Sequence, residues 1–211
     1  MDVRESYNRW AEIYDTNENK TRDLEATALR KTLSGNRFEN ILEIGCGTGK
    51  NTEWLADICE HVTAVDLSEE MLARAKDKIK SENVVFSQAD ILKPWTFADR
   101  QYDLVTFSLV LEHVENLDEI FINVSQVTKP GGLVYVGELH PFKQYLGTKA
   151  RFETENGTEE LPCYIHHFTD FIQATKNAGF QIHDLSEFFD NEDRTTIPRI
   201  LSILLKKKSG F

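Results

Sequence analysis

The stretch LEIGCGTGKNT, residues 42–52, has the residue types of a loop that holds a ligand. Its glycines at positions 45, 47 and 49 lack Cβ atoms, so the backbone can approach a bound molecule closely. A helix expected directly after the loop would point its N-terminus at that molecule, which favours an anionic group. The stretch therefore predicts a binding loop for a small molecule.

Two common ligand classes fit the spacing of this loop poorly. A phosphate-binding P-loop requires glycine at position 44 and serine or threonine after Lys50, but the chain has Ile44 and Asn51 there. The dinucleotide fingerprint G-x-G-x-x-G fits Gly45 and Gly47, but Lys50 replaces the glycine that permits close packing of helix on strand. An NAD-linked oxidoreductase stays open as an alternative.

A second group of chemically capable side chains lies between residues 138 and 167. A neutral imidazole there could remove a proton from an acceptor hydroxyl, although each histidine has a structural or surface role as its alternative. Clustered cations in an acidic protein suggest an anionic acceptor. The candidates are His140 and His166 as catalytic bases, and Glu138, Tyr145 and Arg151 as substrate contacts.

The composition limits the partners of the chain. Its 211 residues carry a formal net charge of −11, which repels nucleic-acid backbones and anionic membranes. The three cysteines form no CxxC pair and no Cys/His cluster with metal spacing, so we expect neither a bound metal nor a disulfide. With no apolar signal segment at the N-terminus, a cytoplasmic location is predicted. The oligomeric state is not indicated.

Apolar runs that alternate with helical patterns would position these side chains. The runs NILEIG, HVTAVD, NVVFSQAD, YDLVTFSLV and LVYVGEL predict strands, and Ser68 is a predicted helix N-cap. Such alternation is typical of a parallel sheet covered on both faces. The last two runs, IHDLSEFF and RILSILLKK, are joined by a loop too short for a helical crossover, so they should pair antiparallel.

Five stretches in order resemble the class I S-adenosylmethionine-dependent methyltransferases of the small-molecule, UbiE/BioC-like type (methyltransferase domain 11/25). They are EIGCGTG, VDLS, QAD, YDLV…LEHV and KPGG. The resemblance is close over residues 38–138 and looser in the flanks. It implies an α/β fold with a Rossmann-like doubly wound sheet, strand order 3-2-1-4-5-7-6 with an antiparallel last strand, and an N-terminal helical lid.

The implied organisation is a single methyltransferase domain over residues 1–211. Residues 1–35 form the lid and residues 38–138 the cofactor-binding core. Residues 139–167 form an insertion over the substrate, named the roof below, and residues 168–211 form a helix and a C-terminal β-hairpin.

The resemblance also implies S-adenosylmethionine as cofactor, with S-adenosylhomocysteine as product. Asp66 would accept hydrogen bonds from the ribose hydroxyls, and Asp90 from the adenine amino group. Tyr14 of the lid would shield the cofactor, although an aromatic stripe at helical spacing also fits a core role. Arg22 would lie near the methionine carboxylate, with a solvated helix start as its alternative. The implied cofactor contacts are Tyr14, Arg22, Glu43, Gly45, Cys46, Gly47, Gly49, Asp66, Leu67, Met71, Asp90, Ile91, Ser108 and Leu109, and further substrate contacts are Tyr7, Trp10 and His113.

The predicted reaction is transfer of a methyl group to a small, anionic acceptor, with a hydroxyl oxygen preferred as the methylated atom. Displacement at a carbon that a sulfonium already activates needs orientation and exclusion of water, without a metal or a covalent nucleophile. An RNA methyltransferase and a non-catalytic, methyltransferase-like binding subunit also stay open as functions of the chain.

Overall fold

The computed structural model of the chain describes residues 2–16, 18–154 and 157–210, without the side chains of residues 151–159. Its strands are β1 (Phe38–Ile44), β2 (Cys59–Asp66), β3 (Val84–Gln88), β4 (Tyr102–Ser108), β5 (Thr128–Leu139), β6 (Arg151–Thr154), β7 (Gly157–Glu160), β8 (Phe180–Phe188) and β9 (Ile200–Lys207). Its helices are α1 (Val3–Trp10), α2 (Lys20–Leu33), α3 (Thr52–Asp57), α4 (Glu69–Lys78), α5 (Leu117–Val127), α6 (Pro141–Tyr145) and α7 (Phe168–Asn177), with 3₁₀ turns at Leu111–His113 and Asp190–Glu192.

A seven-stranded sheet in the order β3-β2-β1-β4-β5-β9-β8 forms the centre of the described residues. Strands β1 to β5 pair in parallel, and β9 pairs antiparallel with both β5 and β8. Because β6 and β7 form a separate hairpin, β8 and β9 are the sixth and seventh strands of the main sheet. The predicted fold class and strand order 3-2-1-4-5-7-6 are therefore confirmed, including the antiparallel last strand. Because the parallel strands share one direction, the carboxyl ends of β1 to β4 meet at one edge, where open α/β sheets bind ligands.

The alternation of side chains along β1 divides the core between the two faces of the sheet. Leu42 and Ile44 face the side covered by α5 and α7, where Phe121 is buried. Ile41 points to the other face and packs with Leu29 of α2. Helices on both faces explain why successive β1 residues are buried, as expected for a parallel strand.

Three local features differ from the sequence predictions. The first helix ends at Trp10, and residues 11–16 form turns, because Arg22 donates a 2.5 Å hydrogen bond to the carbonyl oxygen of Tyr14 and holds this segment against α2. Strand β5 already begins at Thr128, before the predicted strand LVYVGEL, and residues 129–132 lie within it at an irregularity in its pairing with β4. The roof contains α6 and the β6–β7 hairpin, which the sequence pattern did not indicate. None of the described helices is long and apolar enough to cross a bilayer.

Candidate active site

A cavity of about 230 Å³ lies at the carboxyl edge of the sheet, between the ends of β1 to β4 and helix α1. A smaller cavity of about 50 Å³ adjoins it and shares Tyr14, Gly45, Gly47, Ser108 and Leu109 as wall residues. The walls of the larger cavity are formed by Asp2, Val3, Tyr7, Tyr14, Ile44, Gly45, Gly47, Val65, Asp66, Leu67, Met71, Ala89, Asp90, Ile91, Leu92, Ser108, Leu109, Val110, His113 and Val114.

The glycine loop after β1 takes a left-handed backbone conformation that other residues rarely adopt. Gly45 has a φ of +71°, and a Cβ atom built on it would clash with the side chain of Val110. Gly49 has a φ of +81°, and a Cβ atom there would lie 2.5 Å from Cδ1 of Ile79, behind the cavity walls. Gly45 and Gly47 thus line the cavity, whereas Gly49 allows the loop to pack on the end of α4.

Asp66 connects the glycine loop to the turn that follows β2. One carboxylate oxygen accepts a 2.8 Å hydrogen bond from the backbone N–H of Gly47, and the other accepts a 2.8 Å bond from that of Ser68. Burial raises the pKa of Asp66, and these backbone donors oppose the shift. Each oxygen retains a lone pair, so the carboxylate is oriented on the cavity wall and can still accept hydrogen bonds.

Aliphatic side chains and a second aspartate form the β2–β3 end of the cavity. Asp90 follows β3 and accepts a 2.9 Å hydrogen bond from the backbone N–H of Leu92, which fixes its carboxylate. Leu67 and Ile91 lie on the same wall. Met71 is 1% exposed and also lines the cavity, so it serves both the core and the site.

The smaller cavity lies against two buried acids, of which only Glu43 was predicted. Burial raises the pKa of Glu43 to about 8, and the hydroxyl of Thr52 donates a 2.5 Å hydrogen bond to it. Burial also raises the pKa of Glu25 to about 7, where Asn51 donates a 3.0 Å bond. Cys46 and Arg22 lie on the same walls, and burial raises the pKa of the Cys46 thiol, which is therefore no nucleophile.

Sequence reasoning missed Glu25 although a signal was present. Its position in α2 precedes Leu29 by four residues and Leu33 by eight, so all three lie on the helix face that packs on the sheet. An acid among these apolar positions indicates a buried polar contact, and Tyr135 indeed donates a 3.1 Å hydrogen bond to it.

The segment after α1 covers the glycine loop. The guanidinium of Arg22 lies 3.9 Å from the centre of the Tyr14 ring, and burial raises the pKa of Tyr14 to about 12. Asp15 accepts a 2.6 Å hydrogen bond from the Thr48 hydroxyl and forms a 3.1 Å ion pair with Lys78. Tyr14 is thus held on the wall of both cavities.

Tyr7 and His113 form a hydrogen-bonded polar pair on the wall of the larger cavity. The Tyr7 hydroxyl lies 2.9 Å from Nε2 of His113, whose Nδ1 lies 2.9 Å from the carbonyl oxygen of Pro162. Because a carbonyl only accepts, Nδ1 carries the proton and Nε2 accepts from Tyr7. Burial lowers the pKa of His113, which favours the neutral ring. Trp10 stacks on Tyr7 with ring centres 5.7 Å apart, so it supports the wall without lining it.

The structure does not bring His140 and His166 to either cavity, which corrects the prediction of a general base at these positions. His140 is fully buried, with Nε2 3.0 Å from a carboxylate oxygen of Glu187 and Nδ1 accepting from the backbone N–H of Phe142. Nε2 of His166 lies 2.8 Å from the carbonyl oxygen of Val114. His140 thus caps the N-terminus of α6, and His166 connects the roof to the 3₁₀ turn region.

The other predicted roof contacts are also corrected. Glu138 is buried behind β4, where one of its carboxylate oxygens accepts from the backbone N–H groups of Val110 and Leu111 at 3.0 and 2.8 Å. Tyr145 is 49% exposed and hydrogen-bonds His167. Neither residue lines either of the two cavities described above, and the side chain of Arg151 lies outside the described residues.

Comparisons with known proteins agree with this geometry. Residues 42–136 match the family model described as a methyltransferase domain. The ubiquinone biosynthesis O-methyltransferase of Xanthomonas euvesicatoria pv. vesicatoria is 30% identical, over 77% of this chain and 70% of that protein. An uncharacterized methyltransferase of Emericella nidulans is 26% identical, over 88% and 78% of the two chains. The structure of the DhpI–S-adenosylhomocysteine complex is 25% identical with a TM-score of 0.75, and the alignment covers 97% of this chain and 94% of that one.

The residues at the sheet edge fit S-adenosylmethionine. The glycine backbone, which lacks Cβ atoms, suits the amino-acid part of the cofactor, and the oriented carboxylate of Asp66 suits its sugar. The aliphatic wall at Leu67 and Ile91 suits its purine. The family match argues against both the oxidoreductase and the non-catalytic subunit. With this fold, this site and these relatives, the chain belongs to the class I S-adenosylmethionine-dependent methyltransferases and is an enzyme of that family.

Proposed function

We propose that the enzyme methylates a hydroxyl oxygen of a small, uncharged molecule that binds at the Tyr7–His113 end of the larger cavity. The observation that carries the proposal is this polar pair, which shares one cavity with Asp66 and the glycine loop. The Tyr7 hydroxyl donates its proton to His113 and keeps a lone pair on its oxygen, so it can accept a hydrogen bond from the hydroxyl of an acceptor.

The cofactor residues proposed here follow the order of the strands. Asp66 accepts from the ribose hydroxyls, and Asp90, Leu67, Met71 and Ile91 surround the adenine. The glycine backbone and the walls of the smaller cavity hold the methionine portion; those walls include Tyr14, Arg22, Glu43, Cys46, Ser108 and Leu109. When bound, the cofactor supplies a methyl group that its sulfonium has already activated.

The chain's own contribution is to orient the acceptor and to exclude water. Tyr14 closes the cavity from the lid side, and Tyr7 is held in place by Trp10 behind it. A fixed hydrogen bond at one end of the acceptor, with aliphatic walls around the rest, limits the poses in which its oxygen can approach the methyl group. Correct placement at near-attack distance is the main source of rate in such a displacement.

An uncharged acceptor replaces the anionic one that the composition of the roof suggested. Within the described residues, the walls of the larger cavity include Asp2, Asp66 and Asp90 but neither lysine nor arginine. Lys149 of the roof forms a 3.3 Å ion pair with Glu160 instead. An anionic acceptor would find no side-chain cation among the described residues of this wall and would have only the cofactor's sulfonium to oppose its charge, so an uncharged acceptor fits better. The relative from Xanthomonas is named an O-methyltransferase, which supports oxygen as the acceptor atom.

The test is methyl transfer from cofactor labelled in the methyl group. The purified chain is incubated with labelled S-adenosylmethionine and a panel of phenols, alcohols, amines and carboxylic acids, and the products are identified by mass spectrometry. We expect label on the oxygen of a neutral phenol or alcohol. Label only on nitrogen, carbon or a carboxylate would refute the proposed acceptor class. Cytoplasmic location and the absence of a nucleic-acid partner stay predictions, and RNA in the same assay tests the latter.

A further inference from the structure

Three potential metal ligands meet beside the acceptor end of the cavity. One ligand atom each from Glu112, His113 and Cys163 lie within 4.8 Å of one another. The first two come from the 3₁₀ turn after β4, and Cys163 comes from the roof. Two hydrogen bonds join these segments: the backbone N–H of Tyr164 donates to the carbonyl oxygen of Glu112 at 2.7 Å, and His113 pairs with the Pro162 carbonyl.

Glu112 has a carboxylate oxygen for which the protein provides no partner. The residue is 6% exposed, and its buried Oε2 forms no hydrogen bond within the described part of the chain. The sulfur of Cys163 lies within 4.8 Å of a carboxylate oxygen of Glu112. Leaving a buried polar atom unpaired destabilises the folded protein, so such an atom calls for an explanation, and a bound ion is a common one.

His113 has the tautomer that metal-binding histidines commonly have. Its Nδ1–H donates to a backbone carbonyl, which fixes the ring and leaves the lone pair on Nε2. That single lone pair now accepts from the Tyr7 hydroxyl, so an ion bound to Nε2 would replace this hydrogen bond and leave the Tyr7 hydroxyl beside the ion. His113 also lines the larger cavity, so an ion on it would border the acceptor.

The donor set selects the class of ion. One sulfur, one imidazole nitrogen and one carboxylate oxygen suit Zn²⁺ and similar transition metals, whereas Mg²⁺ and Ca²⁺ prefer oxygen donors alone. Three protein ligands leave a fourth position for water or substrate, as in catalytic zinc sites. Bond lengths of about 2.0–2.3 Å place tetrahedral ligands about 3.5 Å apart, so the three residues would need to close by roughly 1 Å.

We propose that Glu112, His113 and Cys163 bind one divalent ion of the zinc class at the wall of the acceptor cavity. The ion ties the roof to the 3₁₀ turn and neutralises the buried carboxylate. The sequence pattern did not indicate this site, because Cys163 is far from the other two ligands in the sequence. Binding requires no methyl acceptor, so the proposal stands or falls independently of the proposed reaction.

Cobalt titration of the metal-stripped full chain tests the site by spectroscopy. Co²⁺ bound to thiolate gives a ligand-to-metal charge-transfer band in the near ultraviolet, and we expect this band to saturate at one ion per chain. Zn²⁺ should abolish the band, and excess Mg²⁺ should leave it unchanged. Cys163→Ser should lose the band, and Glu112→Gln should weaken binding at least about tenfold. Cys59→Ser, which changes a cysteine at the far end of β2, is the matched control and should behave as wild type.

Two outcomes would overturn the metal site. One is the absence of a charge-transfer band, and the other is a band that survives Cys163→Ser. Binding of S-adenosylhomocysteine by each variant verifies that it is folded. If Cys163→Ser does not fold, X-ray absorption of the zinc-loaded wild-type protein decides, since the proposal requires one sulfur at about 2.3 Å. A shell of nitrogen and oxygen alone would refute it.

Discussion

The proposed cofactor end and the proposed acceptor end of the cavity are built in different ways. Gly45, Asp66 and Asp90 each follow a strand of the parallel sheet, so the strand order alone brings them to one edge. At the acceptor end, Tyr7 comes from α1 and His113 from a 3₁₀ turn, and Pro162 of the roof fixes the ring. The sheet therefore determines the cofactor site, whereas contacts between separate segments determine the acceptor site. Changes at the two ends should consequently have separable effects.

The largest effect is expected for Asp66→Ala, at the cofactor end. The change removes the proposed ribose acceptor and frees the backbone N–H groups of Gly47 and Ser68 that the carboxylate now orders. Two charge-assisted hydrogen bonds of about 1.5–3 kcal/mol each predict at least about 100-fold weaker binding of S-adenosylhomocysteine. Isothermal titration calorimetry measures it.

The control for this change is Asp99→Ala, which removes an exposed aspartate from the loop after β3. Its binding of S-adenosylhomocysteine should match that of wild type. Wild-type affinity in Asp66→Ala would mean that the cofactor does not use the carboxylate end of β2, and the comparison of the two ends would lose its basis.

Gly45→Ala should have the next largest effect, on the free energy of unfolding as well as on binding. The alanine must adopt a φ of +71° and its Cβ would clash with Val110. Gly35→Ala is a matched control, because Gly35 has a φ of +78° with open space around its Cβ position. We expect a cost of about 1–2 kcal/mol for Gly35→Ala from backbone strain and about 2 kcal/mol more for Gly45→Ala from the clash.

Chemical denaturation measures both glycine variants. Equal losses would show that the loop can move away from β4 and that Val110 does not enforce its position. In that case the cofactor end would be less rigid than the sheet geometry indicates.

At the acceptor end, Tyr7→Phe should lower kcat/KM for the acceptor about tenfold, since one hydrogen bond to a polar partner is worth about 1–1.5 kcal/mol. Affinity for S-adenosylhomocysteine should change less than about twofold, because the Tyr7 hydroxyl bonds His113 and is not among the groups proposed to contact the cofactor. Steady-state kinetics with the acceptor found in the panel, together with calorimetry, separates the two quantities.

Tyr145→Phe supplies the matched control for Tyr7→Phe, because the Tyr145 hydroxyl bonds His167 away from both cavities. Its kinetics should equal those of wild type. An equal loss in both tyrosine variants would contradict a specific role of Tyr7. A loss of cofactor affinity in Tyr7→Phe would contradict the separation of the two ends.

The same contrast explains what the sequence could predict. Residues at the cofactor end follow strands whose order is a rule of the fold, so short motifs place Gly45, Asp66 and Asp90 without knowledge of distant contacts. Gly49 is an exception: the motif predicted a cofactor contact, but Gly49 lines neither cavity, and a glycine is required there because of packing on Ile79.

At the acceptor end, residue type alone gave wrong predictions, because the contacts that hold the roof join residues that are far apart in the sequence. His140 and His166 are chemically capable side chains, yet the first pairs with Glu187 and the second with a carbonyl of the 3₁₀ turn region. Each of these partners is more than forty positions away in the sequence. The local sequence pattern shows which side chains are chemically capable. Only the folded structure shows which of them have a nitrogen or oxygen atom available at the cavity.

The smallest expected effect is on the pH dependence of the unfolding free energy, to which the buried Glu43 should contribute and exposed carboxylates should not. Burial raises the pKa of Glu43 from 4.5 to about 8, so between these pH values the folded protein holds a proton that the unfolded chain has lost. The unfolding free energy must then fall as pH rises through this window, by up to about 1.4 kcal/mol per pH unit for one proton.

Glu43→Gln, which resembles the protonated acid, should remove this contribution, so the loss of stability from pH 6 to pH 7 should be about 1 kcal/mol smaller than in wild type. Urea denaturation at both pH values measures the difference, and Glu53→Gln, at an exposed position of α3, is the control expected to show the wild-type slope. Identical slopes in wild type and Glu43→Gln would show that Glu43 is ionised in the folded protein at neutral pH, with water or a cation reaching it through the smaller cavity.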